Sequence, residues 1–184
     1  MTTLSLLISR RHIQARVAAL ARRLDEDYRG LSPLYLAVLK GAYVFLADLT
    51  RRLQEPPEVE FVRLSVYGLR GEQAAERVRV LDHPCTDLTG RHVLLVEDIV
   101  DSGRSLAYLL NYVRRRQPAS VRVCALLARG DVLERRRLKV NYLGFTVGPG
   151  WLVGYGLDRA ERWRTLPDIY RLEEGRERAR PRRA

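Results

Sequence analysis

The segment Val93-Leu94-Leu95-Val96-Glu97-Asp98-Ile99-Val100-Asp101-Ser102-Gly103-Arg104-Ser105-Leu106 constrains this chain more than any other. Its apolar start reads as a buried β-strand. Three carboxylates then fall within five residues, at 97, 98 and 101. A Ser-Gly-Arg-Ser turn follows and opens onto a helical pattern. A strand feeding a hydroxyl-rich, glycine-containing turn at a helix N-terminus is the outline of a phosphate cradle, because free backbone N–H groups and the helix dipole both favour an anion there. Carboxylates beside a phosphate would repel it unless they face sugar hydroxyls, a metal ion or a base. The segment therefore predicts a site for a phosphorylated sugar at the end of a strand.

The rest of the chain repeats this strand-to-helix rhythm. Ser9 can cap a helix over roughly 10–28, with Ile13, Val17, Leu20 and Leu24 at helical spacing. Gly30 and Pro33 end it. Leu34 to Leu39 predicts a buried strand, Lys40-Gly41 a turn, and Ala42 to Leu53 a helix that Pro56-Pro57 breaks. Val59 to Tyr67 predicts a strand. From Gly68 to about Arg79 the pattern dissolves into a long loop. A strand at 92–97 leads to a helix from Arg104 to Arg116. Further strands are predicted at 121–127, 142–147, 152–155 and 169–172, with a turn at Arg129-Gly130-Asp131. This alternation predicts an α/β fold with a mostly parallel, twisted sheet flanked by helices. In such sheets ligands sit beyond the C-terminal ends of the strands. Lys40-Gly41, residues 97–105 and Ala128-Arg129 all fall at such ends, which predicts one active site.

Composition narrows the class. A length of 184 residues predicts one domain, over 1–174. No apolar run approaches the roughly 18–20 residues that span a membrane. The start carries no basic segment or cleavage pattern that would read as a signal peptide. Cys85 and Cys124 are too few for a disulfide framework or a zinc site, and His12, His83 and His92 are scattered, so a reducing cytoplasm is the default. The net charge is +11, and residues 175–184 carry five arginines against one glutamate. With no apolar periodicity, these ten residues are expected to be a disordered basic tail, with a nucleic-acid-binding arm as the lesser reading. Lys40 and Lys139 are the only lysines among 33 basic residues, which singles out Lys40 in its Leu-Lys-Gly turn.

Residues Val96 to Ser105 closely resemble the phosphoribosyl pyrophosphate signature of type I phosphoribosyltransferases. Leu39 to Leu49 resembles the first active-site turn of the hypoxanthine-guanine branch, and Tyr67-Gly68 the start of its flexible loop. Trp151 to Asp158, continued by Arg164-Thr165-Leu166-Pro167, is similar to its purine-binding hood, and the hood would draw on the N-terminal segment and about 148–172. The resemblance runs from about residue 8 to 172. It implies transfer of a 5-phosphoribosyl group from a Mg2+-bound pyrophosphate donor to hypoxanthine or guanine, through an oxocarbenium-like transition state. It also implies roles. Glu97 and Asp98 meet the ribose hydroxyls directly or through the metal, and Asp101 is the general base. Ser102, Gly103, Arg104 and Ser105 hold the 5′-phosphate, while Lys40, Gly41 and Arg164 serve the pyrophosphate. Tyr67 belongs to the closing loop, Trp151 stacks on the purine, the Leu152 backbone meets the base edge, and Asp158 holds a second Mg2+. Homodimers or homotetramers are implied, with the Lys40 region near an interface.

Three positions depart from the family pattern. Arg129 stands where the family has a lysine that reads the 6-oxo group. Val66 replaces a serine before Tyr67, and Gly148-Pro149-Gly150 replaces a charged segment. Taken alone, Trp151 could be core packing, Asp158 a cap and Arg164 half of a surface ion pair. Two other functions remain open on sequence: a nucleotide- and RNA-binding regulator of the same fold, and a weakened paralogue that senses purine nucleotides.

Overall fold

The computed structural model describes residues 2–67, 77–82, 84 and 86–174. The elements run in order as β1 (Thr2–Ile8), α1 (Arg10–Asp27), β2 (Leu34–Leu39), α2 (Tyr43–Thr50), β3 (Glu58–Tyr67), β4 (Arg77–Asp82), β5 (His92–Val100), α3 (Arg104–Arg114), β6 (Ser120–Arg129), α4 (Gly130–Arg136), β7 (Tyr142–Val147), β8 (Trp151–Val153) and β9 (Ile169–Glu174). Six strands form the main sheet in the order β4-β3-β2-β5-β6-β7. All neighbours are parallel except β3 and β4. The α/β class and the mostly parallel sheet are as expected.

Alternation along the central strands explains the layers. Tyr35, Ala37, Leu94, Val96, Cys124 and Leu126 face one cluster, which also holds Ile13, Val17, Leu20 and Leu24 of α1 and Phe45, Leu46 and Leu49 of α2. Leu34, Leu36, Val93, Leu95, Val123 and Ala125 face the other, with Leu106, Leu109, Leu110 and Val113 of α3. Both faces are thus buried, which is why the strands read as nearly continuous apolar runs. Ser9 caps α1 as expected, its side chain accepting from the His12 N–H.

Several elements differ from the sequence reading. Strand β5 runs on to Val100, so Glu97 and Asp98 lie within it, β6 extends to Arg129, and α3 ends at Arg114. Helix α2 ends at Thr50, not Leu53. Its last turn tightens to i→i+3 bonds, from Arg52 N to Leu49 O and Leu53 N to Thr50 O, ahead of the two prolines. Arg77 to Asp82 is a strand, although the loop was expected to run to about Arg79. Its Arg-Val-Arg-Val alternation is the edge-strand signal that the charges obscured. Gly130–Arg136 is a short helix instead of a turn. Thr2–Ile8 is a strand whose partner, β9, lies at the far end of the chain. Residues 68–76, His83, Cys85 and the 175–184 tail lie outside the described residues, so the loop and tail expectations have no structural counterpart here. No helix among the described residues is long and apolar enough to cross a membrane.

The second sheet, β1-β9-β8, is antiparallel and caps the first near the β2 end. Two glycines allow close backbone approaches, one within this cap and one where it meets the turn after β2. Gly154, at φ +97°, would place a Cβ 2.0 Å from the Asp168 carbonyl oxygen, and Gly156, at φ +98°, one 2.2 Å from the Gly41 carbonyl oxygen. A side chain at either position would be strained and obstructed.

Asp48 ties the layers together. Its carboxylate accepts from Gln14 of α1 at 2.6 Å, from the Tyr155 hydroxyl at 2.7 Å and from Arg51 at 2.5 Å. Burial alone would raise its pKa, but these hydrogen bonds outweigh burial and hold it below the ordinary carboxylate value. The unfolded chain therefore takes up this proton more readily than the folded one. The stabilisation is complete above the ordinary value of 3.8 and is lost as pH falls through the lower folded value. Asp48→Asn should cost about 1–3 kcal/mol at pH 7. The gap to wild type should shrink as pH drops below that carboxylate value, measured by urea unfolding across pH. A gap that does not change with pH would show that the charge at Asp48 contributes nothing.

Candidate active site

The sheet order places a switch point between β2 and β5. From β2 the chain passes to β3 on one side, and β5 then returns to the other side of β2. Crevices at such points, beyond the carboxyl ends of the strands, are where α/β sheets bind ligands. Lys40-Gly41 leaves β2 here, Glu97 and Asp98 lie in the last residues of β5 with Asp101 just past its end, and Arg129 ends β6. The two strands meet closely, since a Cβ on Gly41 would lie 1.7 Å from Oδ2 of Asp98. The Leu39–Lys40 peptide is cis.

Glu97 and Asp98 form a buried carboxyl pair. Glu97 is 8% exposed. Burial first, and then the charge of Asp98, push its pKa well above the ordinary range. Burial also raises Asp98, and bonds from the Ile99 N–H and from Glu97 offset this only in part. The Glu97 Oε2 atom is buried without a hydrogen-bond partner. An unsatisfied buried carboxylate oxygen is costly unless a ligand completes it.

Past this pair, Gly103 takes φ +71° as the N-cap of α3. A Cβ there would meet Leu138 at 2.6 Å and Arg136 at 2.8 Å, so the turn demands glycine. Ser102 Oγ accepts weakly from Arg104 N, at 3.4 Å. Glu97, Asp101, Ser102, Gly103 and Ser105 line a small cavity of about 210 Å3 around the turn.

A larger cleft of about 910 Å3 lies next to it, lined by Asp98, Asp101, Arg129, Trp151, Leu152 and Asp158 among others. Trp151 is 56% exposed, although its Nε1 donates to the Asp158 carbonyl at 3.0 Å and Arg159 lies over its ring. Core packing does not account for an indole held this open. Leu152 points its side chain into the core and is 5% exposed. Arg164 pairs with Asp158 at 2.8 Å and donates to the Gly156 carbonyl. Glu161 bridges the two cations of this rim, accepting from Lys40 at 3.1 Å and from Arg164 at 3.3 Å. The structure thus brings together Lys40, Gly41, Glu97, Asp98, Asp101 to Ser105, Arg129, Trp151, Leu152, Asp158 and Arg164. The side chains of Tyr67 and Val66 lie outside the described ones.

Sequence reasoning missed three features. Asp131 lines the larger cleft, Glu161 bridges Lys40 and Arg164, and Arg129 is engaged at all three of its nitrogens with protein groups. Asp131 had a local signal in its place two residues after Arg129, and Arg129 had one in being an arginine where the resemblance implies lysine; Glu161 had none.

The phosphoribosyl transferase domain family matches residues 8–160. A hypoxanthine-guanine phosphoribosyltransferase of Mycobacterium tuberculosis is 40% identical over 175 residues, covering 92% of this chain and 86% of its own length. The chain belongs to this family. The hypoxanthine phosphoribosyltransferase of Salmonella typhimurium is 37% identical, covering 91% of this chain and 94% of that protein. The crystal structure of a Bacillus anthracis hypoxanthine-guanine phosphoribosyltransferase superposes with a TM-score of 0.83 at 32% identity, over 94% of this chain and all of that one. The α/β sheet with its flanking helices is therefore the type I phosphoribosyltransferase fold of the hypoxanthine-guanine branch.

Proposed function

We propose that this chain transfers a 5-phosphoribosyl group from phosphoribosyl pyrophosphate to hypoxanthine or guanine, releasing IMP or GMP and pyrophosphate in purine salvage. The observation that carries the reading is the meeting of three strand ends at one switch point, with a sugar-phosphate turn on one side and an open indole on the other.

Each residue takes a role that its position permits. The turn from Ser102 to Ser105 holds the 5′-phosphate with backbone N–H groups and hydroxyls at the start of α3. Glu97 and Asp98 accept from the ribose hydroxyls, and the unpartnered Glu97 oxygen is one such acceptor. Lys40, the Gly41 backbone and Arg164 receive pyrophosphate, which displaces Glu161 from between the two cations. Trp151 stacks on the purine, and Leu152 presents its backbone to the base edge. As the C1′–oxygen bond to pyrophosphate breaks and the bond from C1′ to the purine nitrogen forms, Asp101 takes the N7 proton.

The buried carboxylates fit Mg2+, a hard cation that takes oxygen donors and is commonly held by one or two carboxylates plus substrate phosphates. Among the described residues no group of three or more potential ligands is preassembled, so the donor's own oxygens would complete the site. Glu97 and Asp98 would hold one ion and Asp158 a second, after Asp158 exchanges Arg164. The ions would neutralise charge on the departing pyrophosphate.

Residues 1–174 act as one catalytic unit in this reading, assembled as a homodimer or homotetramer through the face beside Lys40, where Tyr43 is 40% exposed. Membrane and nucleic-acid partners are not required. The free, buried Cys124 suits the cytoplasm. The test is an assay with labelled hypoxanthine, guanine, xanthine, adenine and uracil, each with the pyrophosphate donor and Mg2+. Nucleotide formation from a 6-oxopurine is expected. No turnover with any base would overturn the reading in favour of a sensor or regulator.

A further inference from the structure

The Arg129 side chain is 12% exposed, and each of its three nitrogens has a protein acceptor. Nε donates to Oδ1 of Asp101 at 2.8 Å, Nη1 to the Gly148 carbonyl, and Nη2 to the Gly150 carbonyl at 2.7 Å. One guanidinium thus joins the end of β5 to the turn that leads into the hood strand β8. The turn is shaped to receive it. Gly148 and Gly150 flank Pro149 and present both carbonyls to the same fork. Gly150 sits at φ +112°, which favours glycine, and a Cβ there would crowd Arg171 at 3.3 Å.

We propose that Arg129 is a positioning residue that clamps the Asp101 carboxylate to the Gly148–Gly150 turn, and that it does not read the exocyclic groups of the base. The inference rests on the proposed role of Asp101 as general base. A planar fork with several fixed donors can bridge a carboxylate and two carbonyls at once. An ammonium at the end of a flexible stem is a point charge and cannot reproduce that planar geometry. Arginine at 129 and Gly-Pro-Gly at 148–150 are therefore one matched device. The Asp101 side chain is 64% exposed and accepts from Arg129 Nε, so its aim depends on Arg129. Choice among 6-oxopurines falls to other groups of the cleft.

Arg129→Lys tests this. The expected result is a fall in kcat of about 10- to 100-fold from a misaimed base. KM for the donor and the guanine-to-hypoxanthine ratio of kcat/KM should stay within about two-fold of wild type. In Arg129→Ala, added guanidinium ion should restore part of the lost rate in a saturable way. An unchanged kcat with a shifted base ratio would mean that Arg129 reads the purine and would overturn the proposal. A second measurement needs no turnover. A double-mutant cycle of Arg129→Lys and Asp101→Ala on urea unfolding should be non-additive, and additive effects would overturn the clamp. A wild-type protein that turns over no base but keeps this coupling would overturn the catalytic reading and leave the clamp standing.

Discussion

Replacing Asp101 by asparagine should lower kcat by about 10²- to 10⁴-fold, the range that a positioned general base contributes. The substitution isolates proton acceptance. An asparagine carbonyl oxygen can still accept from Arg129 Nε where the carboxylate accepts now at 2.8 Å. The clamp to the Gly148–Gly150 turn would persist, and the side chain at 101 would keep its aim. Because asparagine keeps the Arg129 contact and the side chain at 101 is largely exposed, the melting temperature should hardly move. KM for the donor should stay close to wild type, because the groups assigned to ribose and phosphate lie at Glu97, Asp98 and 102–105. Steady-state kinetics with saturating hypoxanthine and varied donor would read both constants. An unchanged kcat would remove Asp101 as the base and leave the cleft a binding site only.

Gly41→Ala is expected to be nearly as damaging for a different reason. An added Cβ would sit 1.7 Å from Oδ2 and 2.4 Å from Cγ of Asp98, inside the carboxyl group. Either Asp98 swings away from Glu97, or the Lys40–Gly41 turn moves out of the crevice. The turn has little room to move, because its carbonyl oxygen already lies against Gly156. Overpacking of this kind costs about 1–3 kcal/mol, and typical domains hold 5–15 kcal/mol, so the variant should still fold. Displacing either the ribose-facing carboxylate or the pyrophosphate-facing turn by an ångström is a loss of about 10²-fold in kcat/KM. Thermal unfolding together with kcat/KM for the donor separates the two effects. A folded variant with wild-type kcat/KM would show that the close approach of the two strands has no part in catalysis.

Much of this site was legible in the residues because its parts are local. A strand, a run of carboxylates and a Ser-Gly-Arg-Ser turn lie consecutively, and helix-start chemistry acts over three or four residues. Ser9 as a cap, Gly103 as the turn glycine and the apolar faces of α1 and α3 follow from the same short range. What was illegible depends on distant pairing. Thr2 to Ile8 has no alternation of its own and becomes a strand because β9 lies beside it. Glu161 carries no local signal, and only folding sets it between Lys40 and Arg164. Arg129 carried a sign of change, a different cation where the resemblance implies lysine. Nothing in the chain order showed that its fork would face Asp101 and two carbonyls some twenty residues on.

By itself the chain determined the alternation of strands and helices, the phosphate-type turn at 102–105, the carboxylates beside it and the family to which these belong. Those properties reside in side-chain chemistry and in spacings of a few residues. The tertiary structure decided which of these groups meet. It set Gly41 against Asp98 across the switch point, buried Glu97 with an unpartnered oxygen, held Trp151 open above the cleft and turned Arg129 toward protein acceptors. Such contacts arise where strands far apart in sequence become neighbours in the sheet, and their distances are set by the packing of both faces.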